Sequence, residues 1–454
     1  MSNLHQIISL DLPPLLTAVC AALSCTLLGN FLLLRKISLM GDAISHSVLP
    51  GIVAAFLISN HRDPLTIFIG AAAAGLLSAV CIETLRSLGN LEPGAAMGVV
   101  FSLFFAAGIL LMEGAAARHI DLDANCLLYG QLESIFWYPP TSMADLLTVD
   151  ALWSLPPQVL TSIGVLIACT LFVLLLFKEL KLTAFDPALA TSLGFNATAV
   201  HYLLMVFVAT AVVASFEAVG SILVIAMIIC PAATARLFTD NLRVQIALSA
   251  VIAIATTVLG YFLGAFGPEL VGRTESVSIA GSITLAAGFF LTTAALFAPQ
   301  YGYLGRQIRH RRLALQMALE DVLGVMFRIE EARGLASPAN REVMVETLGG
   351  QKAVDMGIAY ALREKLIEKS ADNFSLTERG RIRAQDVVRS HRLWESYLVS
   401  RLGLQADHVH DTAMELEHFT DQPMAEKLAK RLPNPELDPH GKKIPSLNSV
   451  DDES

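Results

Sequence analysis

The chain has 454 residues, 54% hydrophobic and 16% charged, with a formal net charge of −9 and a mean hydropathy of +0.57. That balance excludes a single water-soluble globule of ordinary composition, and the negative sign argues against a polyanion as the main partner. The averages also hide two parts: residues 1–300 carry 10 Lys and Arg with 17 Asp and Glu, whereas residues 301–454 carry 22 with 24, which marks a membrane domain followed by a soluble one.

Apolar runs near the length needed to cross a bilayer recur through the first part. They fall at 15–34, 44–60, 65–85, 95–112, 159–177, 200–216, 219–236, 242–264 and 277–298, giving nine candidate spans, the short ones open to being tilted or broken. The N-terminus has no basic leader and no cleavage site, so the first run is expected to stay as a permanent span. Basic residues orient the set. Arg35 and Lys36, Arg86, Lys178 and Lys181, Arg236 and Arg243, and the run Arg306, Arg309, Arg311, Arg312 are expected in the cytoplasm. Segment 113–158 has six acids, one Arg and no Lys, and is expected outside, with 127–136 a candidate for a short helix dipping back into the membrane. The N-terminus is then outside and the C-terminus inside. Six cysteines (Cys20, Cys25, Cys81, Cys126, Cys169, Cys230) lie mostly within apolar runs without paired spacing, and read as small core residues. Pro50 and Pro231 each remove a backbone donor inside a span, which suggests broken helices beside a pathway.

The sharpest chemical feature lies in the second span, Gly41-Asp-Ala-Ile-Ser-His46-Ser-Val-Leu-Pro50-Gly51. Asp42 and His46 are four apart and share one helix face. A lone polar residue on an apolar helix is usually just bonded to a neighbour. An acid and an imidazole together, followed by Pro-Gly, read as part of a pathway and as half a transition-metal site. The depth of Asp42 turns on whether 37–41 is loop or broken helix.

The soluble part begins near 305. Helical periods cover 314–333, 341–348 and 353–368. Ser370-Ala-Asp-Asn-Phe-Ser-Leu-Thr-Glu-Arg-Gly380 reads as a hairpin wing leading into a helix at 378–402, with a further helix at 407–419. Three helices and a wing make a winged helix-turn-helix pattern. His391 and Glu395 are four apart, and His410, Met414, Glu417 and His418 share one helix face, so two helices offer metal-ligand spacing. The tail from Pro433 is Pro-rich and polar and is expected to be disordered.

These motifs resemble two families. Gly41–Gly51, the stretch Glu217-Ala-Val-Gly220…Pro231-Ala-Ala-Thr-Ala235, and Phe185-Asp186-Pro187…Ala190…Gly194 together resemble the ABC-3 family of permease subunits of importers for manganese, zinc and iron, across nearly all of 10–300. The resemblance implies that Asp42 and His46 touch the metal in transit. It also implies that Phe185, Asp186, Pro187, Ala190 and Gly194 dock an ABC ATPase subunit. An external metal-binding protein and a second permease copy or related subunit complete such importers. The sequence contains no G-x-x-x-x-G-K-[ST], so ATP is expected to act only through the partner, and the chain is read as a transporter subunit, not an enzyme. The segment 314–432 resembles the iron- and manganese-dependent repressors of the diphtheria toxin repressor family. That likeness implies one metal position from His391, Glu395 and His410, a neighbouring one from Met414, Glu417 and His418, and Asp321 in Glu320-Asp321-Val-Leu-Gly324 as a further ligand. The family commonly has Cys, Glu or Asp where Met414 stands, and a soft thioether points to a second site weakened or shifted toward Fe²⁺.

The expected architecture is an all-α polytopic membrane domain of eight or nine transmembrane helices, followed by a soluble α+β winged helix-turn-helix and helical metal-binding and dimerisation domain. The boundaries are a permease domain at 1–300, a basic cytoplasmic linker at 301–313, a winged-helix-like domain at 314–380, a helical metal-binding domain at 381–432 and a tail at 433–454. The expected setting is the inner membrane of a bacterial cell, multi-pass, with the C-terminal domain cytoplasmic. The expected function is import of a divalent transition metal (Mn, Fe or Zn), which also serves as regulatory ligand. The alternative is a membrane-tethered or released metal-dependent transcription regulator. DNA stays an open partner, because the helix Gln351-Lys352…Asp355…Arg363 is poor in donors for bases or phosphates.

Overall fold

The computed structural model describes residues 7–59, 64–89, 91–116, 130, 132–137, 154–270, 272, 277–334, 337–433 and 435–446. It divides into two compact units, Met1–Gly305 and Arg306–Ser454.

The first unit is helical. After a π-helical turn at Ile7–Asp11 come α1 (Leu12–Leu34), α2 (Met40–Ser59), α3 (Pro64–Gly89), α4 (Pro93–Ala116), α5 (Pro157–Leu175), α6 (Phe177–Phe185), α7 (Pro187–Ser192), α8 (Ala197–Arg236), α9 (Leu242–Leu270) and α10 (Ile279–Phe297). Among the described residues, nine helical stretches are long and apolar enough to cross a membrane. Two of them, Ala197–Phe216 and Ala218–Arg236, belong to α8. A straight helix of 40 residues would run about 60 Å, twice the hydrocarbon thickness. The break falls at Gly220, whose φ of 76° and ψ of 165° leave the helical region and suit only glycine.

α1 packs against α5, α8 and α9, and it is the most enclosed helix together with the second half of α8. Close approach at its crossing with α8 rests on Gly29, where a Cβ would sit 2.0 Å from the carbonyl oxygen of Ile228. Polar side chains buried there are paired: Thr26 donates to the Met227 carbonyl, and Asn30 donates to Ser249 while accepting from Gln245. The outward faces carry Leu103, Leu110, Leu171, Leu174, Leu285 and Phe289, all well exposed, as a lipid-facing surface requires.

The second unit opens on α11 (Tyr303–Arg333), which begins in the first. The stretch expected as a linker at 301–313 is therefore helical from Tyr303 onward. Then follow β1 (Ala339–Asn340), α12 (Arg341–Leu348), α13 (Gln351–Arg363), β2 (Ile367–Ser370), β3 (Asn373–Leu376), α14 (Glu378–Leu402), α15 (His410–Glu417) and α16 (Gln422–Arg431). The sheet order is β1-β3-β2, all antiparallel, with Ala339 opposite Phe374 and Ile367 opposite Leu376. Leu319, Val322, Leu323, Met326, Met344, Val354, Ile358 and Phe374 form its core. α13 ends at Arg363, short of the expected 368, because Lys365 takes φ 56° and Ile367 enters the sheet.

One further expectation changes. The described part of the tail, 433 and 435–446, is held in place: Leu432 and Ile444 join Leu393, Ala425 and Leu428 in a small core, Ile444 N–H bonds the Glu436 carbonyl, and Leu437 bridges Lys443. Arg392 donates to the Lys443 carbonyl and Arg389 to that of Pro445. Local composition read as disordered is held by side chains of α14. In the segment 127–136, a 3₁₀ turn covers Leu132–Ser134, while residues 127–129 and 131 lie outside the described residues.

Candidate metal centres

α1 stops where Lys36 adopts φ 59° and the amides of Lys36 and Ile37 bond back to the carbonyls of Leu33 and Leu32. The chain is helical again by Met40, so Gly41 and Asp42 lie in the first turn of α2 and the link is only Arg35–Leu39. That position gives the Asp42 carboxylate the positive end of a helix. One turn on, His46 Nε2 is 3.3 Å from Asp42 Oδ1. The pair is partly open, with side chains 23% and 40% exposed for His46 and Asp42. Phe101 and Phe105 of α4 face the imidazole edge-on, with ring centroids at 5.0 and 6.0 Å. The sequence reading did not single out these two rings; their spacing matches ordinary lipid-facing positions.

Of the expected docking residues, Asp186 caps α7 by accepting from the Leu189 amide, and Pro187 occupies its first turn. Ala190 is buried, Phe185 and Leu189 are exposed, and Gly194 takes φ 88° to turn the chain into α8. Beside this bend lies a cluster that sequence reasoning missed. Arg35 donates to Thr183 Oγ1 at 2.7 Å and pairs with His201 Nδ1 at 2.9 Å, and Glu83 lies 3.3 Å from His201 Nε2. A guanidinium only donates, so Nδ1 accepts there, which turns Nε2 toward Glu83. Arg35 thus ties the end of α1 to α6 and α8, five residues before the helix that carries Asp42 and His46. Its only sequence signal was its place in the positive-inside pattern.

In the second unit, α14 supplies His391 and Glu395, α15 supplies His410 and Glu417, His418 caps α15, and α11 supplies Asp321. His391 Nε2, Glu395 Oε1 and His410 Nδ1 stand 3.0 Å from one another. Three lone-pair donors meeting there cannot all be satisfied by one proton, and two imidazoles with one carboxylate fit a borderline divalent ion. Behind them, Glu417 Oε2 holds His391 Nδ1 at 2.6 Å, which aims Nε2 at the centre. The second group is Asp321, Glu417 and His418: His418 Nε2 lies 3.2 Å from Asp321 Oδ1 and 4.0 Å from Glu417 Oε1. Asp321 Oδ1 is buried with only His418 Nε2 near it, an acceptor that a cation would also satisfy. Glu417 therefore serves both groups: Oε2 supports His391 from behind, and Oε1 belongs to the second set.

Burial by itself would lower the His418 pKa, but Asp321 and Glu320 hold it up at about 10. His391 is raised in the same way, by Glu395 and Glu417 against burial. Burial would raise Glu395, but His391 and His410 hold it far below the usual carboxylate range. Met414, expected beside Glu417 and His418, is a half-buried residue of α15 one turn after His410. Glu320 is the residue the sequence reading passed over: its buried carboxylate accepts from His418 Nδ1 at 3.0 Å and from Arg383 at 2.6 Å, and so orients the His418 ring. It stood next to Asp321 in the quoted segment, and only the packing of α11 against α15 separates their roles.

Residues 10–295 match the ABC 3 transport family, and residues 377–446 match the iron dependent repressor, metal binding and dimerisation domain. The chain is 36% identical over 294 residues to the manganese transport system membrane protein MntD of Bacillus subtilis, covering 64% of this chain and 94% of that one. It is 38% identical over 303 residues to the zinc transport system membrane protein TroD of Treponema pallidum, covering 66% and 78%. Among solved structures, PsaBC from Streptococcus pneumoniae in complex with Fab superposes with a TM-score of 0.52 at 32% identity, covering 65% of this chain and 94% of that one.

Proposed function

The chain belongs to the ABC 3 transport family, and on that premise we propose that it is the permease subunit of an ATP-driven importer of Mn²⁺, Zn²⁺ or Fe²⁺ with a cytoplasmic metal-sensing domain. The observation that carries the reading is the Asp42–His46 pair, 3.3 Å apart in the first turns of the apolar helix α2. The manganese and zinc systems of its relatives support the cargo class. A hard carboxylate and a borderline imidazole admit all three ions. Two ligands from one chain bind weakly, which suits passage, and a second permease subunit would bring a second pair. An external metal-binding protein delivers the ion, and ATPase subunits dock at Phe185–Gly194.

In the soluble part, His391, Glu395 and His410 would hold one regulatory ion, and Asp321, Glu417 and His418 its neighbour, with Glu320 and Glu417 orienting the imidazoles. A bound divalent ion supplies a cross-link between α11, α14 and α15. Control of transport then requires that the loaded domain prefer one transporter state. The second reading, a metal-dependent transcription regulator, draws on the winged helix; against it, Asp355 on α13 takes Arg341 in a two-bond pair at 2.6 and 2.8 Å.

The test is uptake of radiolabelled metal by the full chain reconstituted with its ATPase subunit. Asp42→Asn and His46→Ala variants that insert and assemble should lose uptake. Uptake at the wild-type rate in both would overturn the assignment.

A further inference from the structure

One broad cleft of the second unit holds no residue of either metal centre. It has a volume of about 1070 Å³ and lies between α11, the end of α13 and the first turns of α14. Four arginines line it, Arg312, Arg363, Arg379 and Arg383, against two acids, Glu364 and Asp386. Arg383 is paired with Glu320. Arg312, Arg363 and Arg379 are exposed and enter none of the ion pairs found among the described residues. Elsewhere in this unit arginines do find carboxylates: Arg341 takes Asp355, Arg381 takes Glu330 and Glu378, and Arg392 takes Glu331. Since 301–454 carries slightly more acids than bases, a cleft with an excess of unpaired guanidinium is a local exception. The positive end of α14, a 25-residue helix, adds to the same field.

Guanidinium forks match phosphate oxygens two bonds at a time. Leu315, Leu319, Leu366, Ile382 and Tyr360 supply apolar wall beside them, so the cleft suits an anion carried on an apolar or aromatic body. A second observation points the same way. Residues 306–314 of α11 are all exposed, include Arg306, Arg309, Arg311 and Arg312, and lie in a stretch from 276 to 319 without one acid. That stretch includes the last apolar span, Ile279–Phe297, so residues 306–314 come within nine residues of that span's end.

We propose that this cleft is a phosphate-binding site, distinct from the metal centres, whose ligand is a phosphate group of an anionic lipid headgroup or of a soluble phosphate compound. The two sources share one chemistry and are separable by experiment. The full chain is placed in nanodiscs of phosphatidylcholine alone or with phosphatidylglycerol, and amide exchange is followed over 360–366 and 379–386. Inorganic phosphate is titrated into the first preparation. Slowed exchange in both segments with phosphatidylglycerol identifies the lipid source, and slowed exchange with inorganic phosphate identifies the soluble one. The double variant Arg363→Gln, Arg379→Gln should abolish the effect and weaken binding about tenfold for each arginine removed. Both positions are exposed, so the fold is retained; Arg341→Gln, outside the cleft, should leave the protection intact. Unchanged exchange in every preparation, or equal protection in the double variant, would overturn the proposal.

Discussion

Replacing Glu417 by Gln should weaken both soluble metal centres at once. Its side chain is 4% exposed, with one oxygen 2.6 Å from His391 Nδ1 and the other 4.0 Å from His418 Nε2. At the first centre Glu417 is the carboxylate behind a ligand, and loss of such a partner costs about 10–100-fold in metal affinity. At the second centre it is one of three donors, so the loss there is at least as large. Without metal, the amide oxygen still accepts from His391 but brings no charge, and the hydrogen bond to a charged partner is worth about 1.5–3 kcal/mol. Folding stability should fall by about that amount, less than the cost of deleting one side of a buried pair. The assay is Mn²⁺ titration of the full chain followed by electron paramagnetic resonance, with Glu320→Gln beside it. Of the metal-centre residues, Glu320 bonds His418 and none of the first centre, so its variant should weaken the second centre and spare the first. Equal loss at both centres in Glu320→Gln, or loss at one centre alone in Glu417→Gln, would refute the bridging role.

In the metal-free protein, His418 and His391 have raised pKa values, so their stabilisation is complete below the unfolded value of 6.5 and is lost as pH climbs, for His418 toward about 10. Glu395 is depressed, so its contribution is present above 4.5 and lost as pH falls. The soluble unit without metal should therefore unfold at its highest temperature between those two values, and added Mn²⁺ should stabilise it more as pH rises, because ligation displaces protons. A metal-free unfolding temperature that climbs steadily up to roughly pH 9 would contradict this. Arg35→Ala removes the bonds to Thr183 and His201, and should lower metal moved per ATP hydrolysed while ATPase activity persists; Arg35→Lys should not restore it, since a single ammonium does not reproduce the fork. Normal coupling in both variants would show that the cluster only packs. Gly29→Ala should cost about 1–3 kcal/mol by forcing α1 from the Ile228 carbonyl, whereas Gly98→Ala, with nothing within 4 Å, should be silent in thermal unfolding.

Much of the fold was legible in the sequence, for physical reasons. The spans announced themselves by length and apolarity, and α12 and α14 occupy the stretches their periodicity set out. Legibility failed where long-range contacts decide. Composition around Pro433 and Pro435 looked unstructured, yet Arg389 and Arg392 hold the backbone of 443–445. The linker carried a charge run and no visible reason to be helical, but it is the first part of α11. At the soluble centres, ligand spacing within α14 and α15 was visible, whereas the sharing of Glu417 and the support from Glu320 depend on three helices meeting. Arg35 looked like one more cytoplasmic charge, and only the return of α6 and α8 to the end of α1 gives it partners.

The central claim is that one chain carries two metal stations, Asp42–His46 for passage and the 391–418 cluster with Asp321 for sensing. The most direct measurement is initial metal uptake into proteoliposomes preloaded with rising internal metal, comparing the wild type with a His391→Ala, His418→Ala variant. Wild-type uptake should slow as internal metal rises, while the variant starts at the same rate and does not slow. Equal slowing in the two proteins, or none in either, would contradict it.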